Sequence, residues 1–499
     1  MVNIFIHKLI NLFNTDHNVS CHNITLLINL LILISITIPI TNPAIANNLP
    51  DFGNETQLII SSKQEILIGK IWLHQLRKAG IIESDPIVNS YINHLGNRLL
   101  AHSDQVDLDK FHFFILTGKD INAFAFFGGN IGVFSGLVNI THTESELAAI
   151  LAHEISHVNQ KHFARQLLNQ KRLMPITLAE AAVALAVGVP DLIMPILGGH
   201  IHQMLTFSRE NEQEADRMGI RLLNKSKFDT RAMADVFQRL SQFSPDQHKI
   251  PEYLLTHPMF ESRIPDAYNR VAQAGYKQYV DHMDYRLVKA RINVNLSDNK
   301  TNLLSKIENK LKNHRYNDYT ALRYEQALVL QQLNKYQQAE NIFEEILQKN
   351  PDNIIIQLSL AELLSINNPD IANNKLTSLI QITPDYLPLI LTYAQTLIKL
   401  NLPLKAKNIL EQYSKNHIYD LIEEPKIYEL LIGCYQKLNE QDESLFTQAK
   451  LLVINDNSSM AAQKIEQALQ IAQKSNVRKI KKFQNELEKF TLEIKEIRI

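Results

Sequence analysis

The sequence predicts an α+β fold that is mostly helical, with a small β-sheet in its first half and an all-α solenoid in its second half. Apolar residues recur three and four positions apart along most of the chain, as in amphipathic helices. The strong strand signals lie within residues 111–136, where aromatic and β-branched residues cluster. From about residue 315 onward, small residues and prolines recur every 33 or 34 positions, which indicates stacked helix–turn–helix repeats.

Composition narrows the classes of protein to which the chain can belong. Its 499 residues leave room for several domains, each with its own core. The 51 basic and 52 acidic residues give a net charge of −1, so no overall field attracts nucleic acid and we expect no nucleic-acid partner. The two cysteines, Cys21 and Cys434, are too few for a disulfide framework or a cysteine-ligated zinc site.

The N-terminus has the pattern of an export signal. An almost wholly apolar run from Ile24 to Ile40 is followed by Ala-Ile-Ala at 44–46, the small-x-small pattern of a signal-peptidase site. We therefore predict a signal peptide over residues 1–46, with cleavage after Ala46. An uncleaved membrane anchor is the alternative, because the region before the apolar run is long and weakly cationic.

Capping and strand signals define the elements that follow. A capping box at Ser62 begins one helix, and Asp85 begins another with a proline at its first position. Phe111–Leu116 is predicted to be a strand, and the apolar segments on either side of Gly128 are predicted to pair as a hairpin. The edge of such a sheet could bind a peptide by strand addition. The alternative is a sheet that only buries core.

Residues 147–160 carry a motif with chemical meaning on a capped, amphipathic helix. His153 and His157 are four residues apart, so their imidazoles share one helix face, and Glu154 follows the first of them. In this H-E-x-x-H arrangement the histidines hold a zinc ion, and the glutamate moves protons to and from a water molecule. Thr143 begins the helix as part of a capping box.

A second helix, over residues 207–223, supplies carboxylates at a matching spacing. Catalytic zinc uses three protein ligands and leaves one position open. Glu212 completes that count beside the two histidines, and Asp216, one turn later, is placed to orient a histidine ligand. The alternative is a set of helical salt bridges, which would not require this spacing. The sequence therefore predicts a zincin-like zinc metallopeptidase domain over residues 47–300.

Residues 173–205 are apolar, but glycines, prolines and acidic residues interrupt them. No stretch reaches the length needed to span a bilayer, so we expect a buried helical hairpin. The alternatives are a mobile lid, or a surface that contacts a membrane or an unfolded client protein.

The second half has the period of tetratricopeptide (TPR) repeats. We predict TPR-like helical repeats over residues 315–475, which would stack into a solenoid with a concave binding face. The polar tract Asn295–Asn302 is expected to be a linker. Apolar residues three and four apart over 476–499 predict a C-terminal capping helix docked on the last repeat, with a coiled-coil seam as the alternative. The repeat markers are Ala339, Ala372, Ala406, Pro351 and Pro384.

Two segments together resemble the zinc endopeptidases of the CAAX-prenyl-protease type. They are His-Glu-Ile-Ser-His at 153–157 and Ser-Arg-Glu-Asn-Glu-Gln-Glu-Ala-Asp at 208–216. Asn-Ala-Phe at 122–124 and Gly-Gly at 128–129 match that family's segment before the metal helix. Phe127 stands where many members have proline. This departure, the repeats and the Leu-Pro-Asp-Phe-Gly start resemble the β-barrel assembly-enhancing proteases of the Gram-negative periplasm.

The resemblance implies a set of site residues. One zinc ion per subunit would be held by the histidine pair and Glu212, with Glu154 as catalytic acid and base. His257, otherwise an ordinary loop histidine, could occupy the open zinc position and hold the protease latent. Arg263 belongs to the same motif and receives no role beyond fixing that loop.

The resemblance also implies a location and a function. We expect an exported, periplasmic zinc endopeptidase that degrades misassembled outer-membrane β-barrel proteins and promotes their assembly. The TPR repeats would dock to the assembly machinery, unfolded proteins would be substrates, and segment 173–205 could add a peripheral membrane contact. The competing hypothesis is a chaperone or assembly adaptor that acts through the repeats, with a latent zinc site.

Overall fold

The predicted sheet, the motif helices and the repeats lie within the residues that a computed structural model describes. These are residues 62–103, 111–163, 165, 207–243, 251–259, 261–274, 277, 279–416, 425–454, 457–472, 479–485 and 488. The predicted signal peptide and segment 173–205 lie outside them, and so does most of 476–499. Among the described residues, no helix is both long enough and apolar enough to cross a membrane.

Two helices, α1 (Ser62–Lys78) and α2 (Pro86–Leu100), precede the sheet and begin where the sequence predicts. Asp85 caps α2, because its carboxylate accepts hydrogen bonds from two amides of the first turn. A proline takes the first helical position, where no N–H group needs a partner. The apolar residues spaced three and four apart along α2 are buried, so this helix packs one face into the core.

Three short strands form a mixed sheet in the order β1-β3-β2. They are β1 (His112–Leu116), β2 (Ala123–Phe126) and β3 (Asn130–Phe134). β3 runs parallel to β1 and antiparallel to β2, so β2 and β3 are the predicted hairpin. Gly128 lies in the turn between them with a φ of 70°, a left-handed conformation that favours glycine.

The two faces of the sheet pack against different parts of the molecule. Trp72 of α1 stacks on Phe126 of β2, with ring centroids 4.4 Å apart. Ala123 and Ala125 alternate with the aromatic residues of β2 and point into the main core, which includes the motif helix. The small sheet therefore supports the motif helix on one face and is covered by α1 on the other.

Among the described residues, six helices lie between the sheet and residue 283, and several of them carry the candidate site. They are α3 (Ser135–Ile140), α4 (Glu144–Asn159), α5 (Arg209–Lys225), α6 (Ala232–Ser241), α7 (Glu252–Thr256) and α8 (Arg263–Ala274). The motif helix α4 packs along α5, and Gly219 of α5 makes the close approach possible. A Cβ at Gly219 would lie only 3.3 Å from the amide nitrogen of His153. The second predicted ligand helix is thereby held directly beside the first.

From residue 283 onward, the described elements are all helices. They are α9 (Met283–Leu296), α10 (Lys300–Lys312), α11 (Tyr319–Gln332), α12 (Tyr336–Lys349), α13 (Ile354–Asn367), α14 (Pro369–Ile382), α15 (Leu387–Lys399), α16 (Pro403–Asn416), α17 (Pro425–Lys437), α18 (Gln441–Ile454) and α19 (Ser458–Ala472). From α11 on, each helix packs against the next, and α15 also touches α13 and α17. This stacking of helix pairs is the architecture of a TPR solenoid, so the predicted fold class is confirmed.

The repeat signals occupy positions that stacking requires. Ala339, Ala372 and Ala406 are completely buried, which allows the neighbouring helices to approach closely. Pro351 and Pro384 lie in the turns between repeats. α17 and α18 form a further helix pair within the range 315–475.

The described part of the C-terminal segment also packs as a capping helix would. Residues 479–485 are helical, and Phe483 is completely buried against Phe446 of α18, with ring centroids 4.3 Å apart. The domain boundaries themselves stay predictions.

The predicted linker, Asn295–Asn302, is mostly helical. α9 continues to Leu296, and α10 already begins at Lys300. Asn299 caps α10, since its side chain accepts a hydrogen bond from the amide of Asn302 at 2.8 Å. The polar residues of this tract therefore serve as helix ends, because asparagine suits both caps and linkers.

Arg291 of α9 joins the two halves of the described chain through a buried polar network. Its Nε lies 2.6 Å from Oδ2 of Asp85, at the start of α2. Its other nitrogens donate hydrogen bonds to Tyr324, Ser359 and Glu362 of α11 and α13, over 2.9 to 3.2 Å. We call these five residues the Arg291 joint. Since α15 also packs against α2, the early repeats are fixed directly to the half that carries the motif.

Candidate metal centre

α4 brings the two histidines of the motif to one point. His153 and His157 are one helical turn apart, and their Nε2 atoms lie 2.9 Å from each other. Both imidazoles are buried. Two ring nitrogens at this distance repel unless a proton or a cation lies between them. The predicted cap of the helix is also present, because Thr143 accepts a hydrogen bond from the amide of Glu146.

α5 adds the carboxylate of Glu212. Its Oε2 lies 3.4 Å from Nε2 of His153, and its Oε1 lies 3.4 Å from Nε2 of His157. The side chain is completely buried. The need for a third zinc ligand, together with the spacing along α5, predicted this carboxylate, and the packing of α5 on α4 brings it to the histidine pair.

His257, directly after α7, completes the group. Its Nδ1 lies 3.3 Å from Nε2 of His153 and 3.0 Å from Oε1 of Glu212. Two backbone hydrogen bonds anchor its segment. The amide of Tyr253 donates to the carbonyl of Ile121, two residues before β2, and the amide of Phe207 donates to the carbonyl of Thr256. The Tyr253 ring also stacks on the imidazole of His257, 4.6 Å away.

These four side chains fit a transition-metal ion. One possible ligand atom from each of His153, His157, Glu212 and His257 lies within 4.8 Å of all the others. Bonds of about 2.0–2.2 Å in a tetrahedral site place neighbouring ligand atoms about 3.4 Å apart. Five of the separations between these ligand atoms run from 2.9 to 3.4 Å. Three imidazoles and one carboxylate are also the ligand types that zinc prefers.

Glu154 lies beside this group with its carboxylate unsatisfied. The side chain is completely buried, and within the described part of the chain neither carboxylate oxygen has a hydrogen-bond partner. Its Oε1 lies 3.4 Å from Nε2 of His257. A buried carboxylate without partners is costly for the fold, and such groups occur where chemistry needs them.

Asp216 and Arg263 form a second layer behind the group. Asp216 Oδ1 lies 2.9 Å from Nδ1 of His153, on the side of the ring away from His157. Arg263 contacts both oxygens of Asp216 at 2.8 Å and Oε2 of Glu212 at 2.7 Å. It also donates to the backbone carbonyl of His257, over 3.4 Å. One buried guanidinium therefore contacts Glu212, Asp216 and the segment that carries His257.

The electrostatics of the metal-free site follow from these contacts. Burial alone would lower the pKa of His153, but the nearby Asp216 and Glu212 outweigh it and raise that pKa to about 9. Burial lowers the pKa of His157 well below its usual value. Burial raises the pKa of Glu154, as suits a proton acceptor that later acts as an acid.

Glu212 shows the opposite balance from Glu154. Burial would raise its pKa, but the charges of His257 and Arg263 outweigh burial and hold the pKa well below the usual range. The site thus keeps one carboxylate ionised for a cation and another able to carry a proton.

The structure brings together all six residues singled out from the sequence. Sequence reasoning gave Arg263 no role beyond fixing the loop of His257, and it missed the contacts of Arg263 with Glu212 and Asp216. No spacing signal marks it, because Arg263 and its carboxylate partners lie on different helices, about 50 positions apart. A buried arginine can be recognised only once the fold is known.

Comparisons with known proteins agree with this geometry. A family model for peptidase family M48 matches residues 86–271. The chain is 34% identical to the beta-barrel assembly-enhancing protease of Yersinia pestis over 420 residues, which cover 83% of this chain and 85% of the relative. It is also 34% identical to the protein of that name from Escherichia coli strain K12 over 412 residues, 81% and 83% of the two chains.

The chain is also similar to the solved structure of a tetratricopeptide repeat protein from Parabacteroides merdae. The two are 13% identical, the match covers 57% of this chain and 98% of the other, and the TM-score is 0.25. The identity and the shared length of the two named relatives decide the assignment. The chain belongs to the family of beta-barrel assembly-enhancing proteases, and it is a metalloendopeptidase of peptidase family M48.

Proposed function

We propose that this protein is an exported zinc endopeptidase of the periplasm that degrades misassembled outer-membrane β-barrel proteins and promotes their assembly. One observation carries the proposal: a buried group of His153, His157, Glu212 and His257 lies beside an unsatisfied Glu154. The name of the relatives supports β-barrel proteins as the client class. The adaptor hypothesis is not favoured, because those relatives are named proteases.

We assign the metal-binding role to His153, His157 and Glu212. Zinc at this position would polarise the scissile carbonyl and make a water molecule a better nucleophile. Glu154 would accept the proton of that water and deliver it to the leaving amine. Its raised pKa and its free oxygens suit both steps. Asp216 holds the ring of His153 from behind and so acts as a positioning residue.

His257 gives this site a resting form. Its imidazole lies between Glu154 and Glu212, at 3.4 and 3.0 Å, which is where water and a peptide carbonyl would need to enter. The amide of Tyr253 also donates a hydrogen bond to the carbonyl of Ile121, two residues before β2, so the same segment lies beside the start of an edge strand. We propose that the segment must move before a client peptide can bind by strand addition.

The remaining assignments rest on the sequence patterns and on the resemblance. We propose a signal peptide over 1–46, a peptidase domain over 47–300, repeats over 315–475 and a capping helix over 476–499. The repeats would recruit β-barrel proteins or their assembly machinery, since stacked repeats form extended protein-binding faces. A peripheral membrane contact through segment 173–205 remains part of the proposal.

Glu154→Gln tests the catalytic assignment. The amide cannot accept a proton, so cleavage of a stalled β-barrel precursor should fall by about 100-fold or more. Bound zinc, measured by mass spectrometry, should stay at one per chain, because Glu154 is not a proposed ligand. Unchanged cleavage by a folded, zinc-loaded variant would refute the role of Glu154.

A further inference from the structure

A further histidine, His162, lies next to the candidate metal centre, outside the H-E-x-x-H motif, and contacts His157. His162 is completely buried, and its Nδ1 lies 2.9 Å from Nδ1 of His157. Its other ring nitrogen, Nε2, lies 3.1 Å from Oε2 of Glu214. Arg165 donates a hydrogen bond to the same oxygen over 2.8 Å. Both nitrogens of His162 are therefore committed, one to a proposed metal ligand and one to a carboxylate.

The direction of these hydrogen bonds follows from the chemistry of the groups. A carboxylate only accepts, so Nε2 of His162 carries a proton toward Glu214. In a neutral imidazole the other nitrogen then accepts, so Nδ1 of His162 accepts the proton of His157 Nδ1. This arrangement leaves the lone pair of His157 on Nε2, the atom that faces His153 and Glu212.

The two proposed histidine ligands thus have matching supports on the far sides of their rings. Asp216 approaches Nδ1 of His153 directly, at 2.9 Å. Among the described residues, no carboxylate contacts Nδ1 of His157, and His162 carries the influence of Glu214 to it instead. A ligand histidine is commonly oriented through its second nitrogen in this way.

The backbone explains how His162 reaches its neighbour. α4 ends at Asn159, and Lys161 adopts a φ of 51°, a left-handed conformation that is uncommon for lysine. The chain therefore turns back, and the ring of His162 lies at the edge of His157, 4.8 Å between centroids. Phe207 stacks on the face of the same imidazole at 4.0 Å. Edge and face of the His157 ring are both fixed.

We infer that His162, held by Glu214, is a positioning residue that fixes the tautomer and the orientation of His157 for metal binding. The inference rests on the proposed function, because it takes His157 to be a zinc ligand. Among the residues in contact, Arg165 touches only the outer end of this relay, through Glu214. Removing Arg165 should therefore matter least.

Zinc affinity of the full-length protein, measured by competition with a chelating dye, tests the inference without relying on activity. His162→Leu should weaken zinc binding by about 10- to 100-fold, the usual cost of losing the partner of a ligand histidine. His162→Asn places an amide near the Nδ1 position and should recover much of that loss. Arg165→Ala, the matched control, should change the affinity by less than about threefold.

The outcomes separate this inference from the proposed function. If the unaltered protein binds no zinc, the proposed function fails. If it binds zinc and folded His162→Leu binds equally well, the positioning role is refuted. Should His162→Leu fail to fold, Glu214→Gln decides, because its amide can donate as well as accept and no longer fixes the tautomer. Zinc affinity unchanged in Glu214→Gln would then overturn the inference, and a loss of several-fold would support it.

Discussion

Two buried arginines lie at different places in the molecule, one at the metal centre and one at the joint with the repeats, and each contacts a pair of carboxylates. Arg263 contacts Glu212 and Asp216 at the metal centre, whereas Arg291 contacts Asp85 and Glu362 at the joint with the repeats. Both guanidiniums bridge separate helices, where a planar fork with five donors can hold several partners at once. The local device is the same in both places.

The surroundings of the two arginines differ. The carboxylates near Arg263 also face imidazoles, and its guanidinium reaches the backbone of the segment that carries His257. The remaining partners of Arg291 are the hydroxyls of Tyr324 and Ser359, which belong to packed helices. Arg263 therefore belongs to the candidate metal centre and the segment beside it, whereas Arg291 belongs to a packed junction between helices.

Arg263→Met should give the larger effect. It leaves Glu212 and Asp216 buried without their cation, so we expect loss of bound zinc and a loss of about 3–5 kcal/mol in unfolding free energy. Arg263→Lys, the matched control, keeps the charge but not the two-point contact. Its zinc content and unfolding free energy should lie between those of the unaltered protein and Arg263→Met. Metal content by mass spectrometry and denaturant unfolding measure both. A folded Arg263→Met that keeps a full equivalent of zinc would contradict the role given to Arg263.

Arg291→Met should cost stability alone. Its two carboxylates are 10% and 23% exposed and can regain water, so we expect a loss near the low end of the range for broken buried pairs, about 3 kcal/mol. Zinc content per folded molecule should not change, because no partner of Arg291 touches the metal centre. If zinc were lost as completely as in Arg263→Met, the distinction between the two arginines would disappear.

The smallest expected effect is a pH dependence that belongs to the metal centre. In the metal-free protein the pKa of His153 is raised to about 9, so at neutral pH zinc must displace a proton from this ring. Zinc affinity should therefore increase as pH rises toward 9, by about tenfold per pH unit for one proton.

Asp216→Asn removes a charge that raises the pKa of His153 and should flatten this dependence. Dye competition at several pH values measures it, with Arg291→Met as a control that should keep the slope of the unaltered protein. An affinity independent of pH between about 7 and 9 would contradict the account.

The spacing of residues along helices predicts most of the candidate site from the sequence. His153, Glu154 and His157 lie within five positions of one helix, and Glu212 and Asp216 lie four positions apart on another, so the 3.6-residue period predicts that the members of each set lie close together. The pairing of the two helices is tertiary, but a catalytic zinc site needs a third protein ligand, and the second helix offers carboxylates for it. That chemical requirement is what allowed the prediction.

Contacts outside regular elements could not be predicted in the same way. His162 follows the end of α4, and its contact with His157 depends on the left-handed Lys161. Arg263 reaches the site from a different helix, with no periodic relation to Glu212. The tract around Asn299 was ambiguous, because asparagine favours helix caps and linkers for the same hydrogen-bonding reason.

We propose that His257 occupies the fourth position of a zinc site and holds the protease at rest. X-ray absorption at the zinc edge, on the full chain and on His257→Ala, tests it most directly, because it reports how many imidazoles bind the metal. We expect three imidazoles and one carboxylate to bind zinc in the unaltered protein, and one imidazole fewer to bind it in His257→Ala. Two imidazoles in the unaltered protein, with no change in the variant, would contradict it.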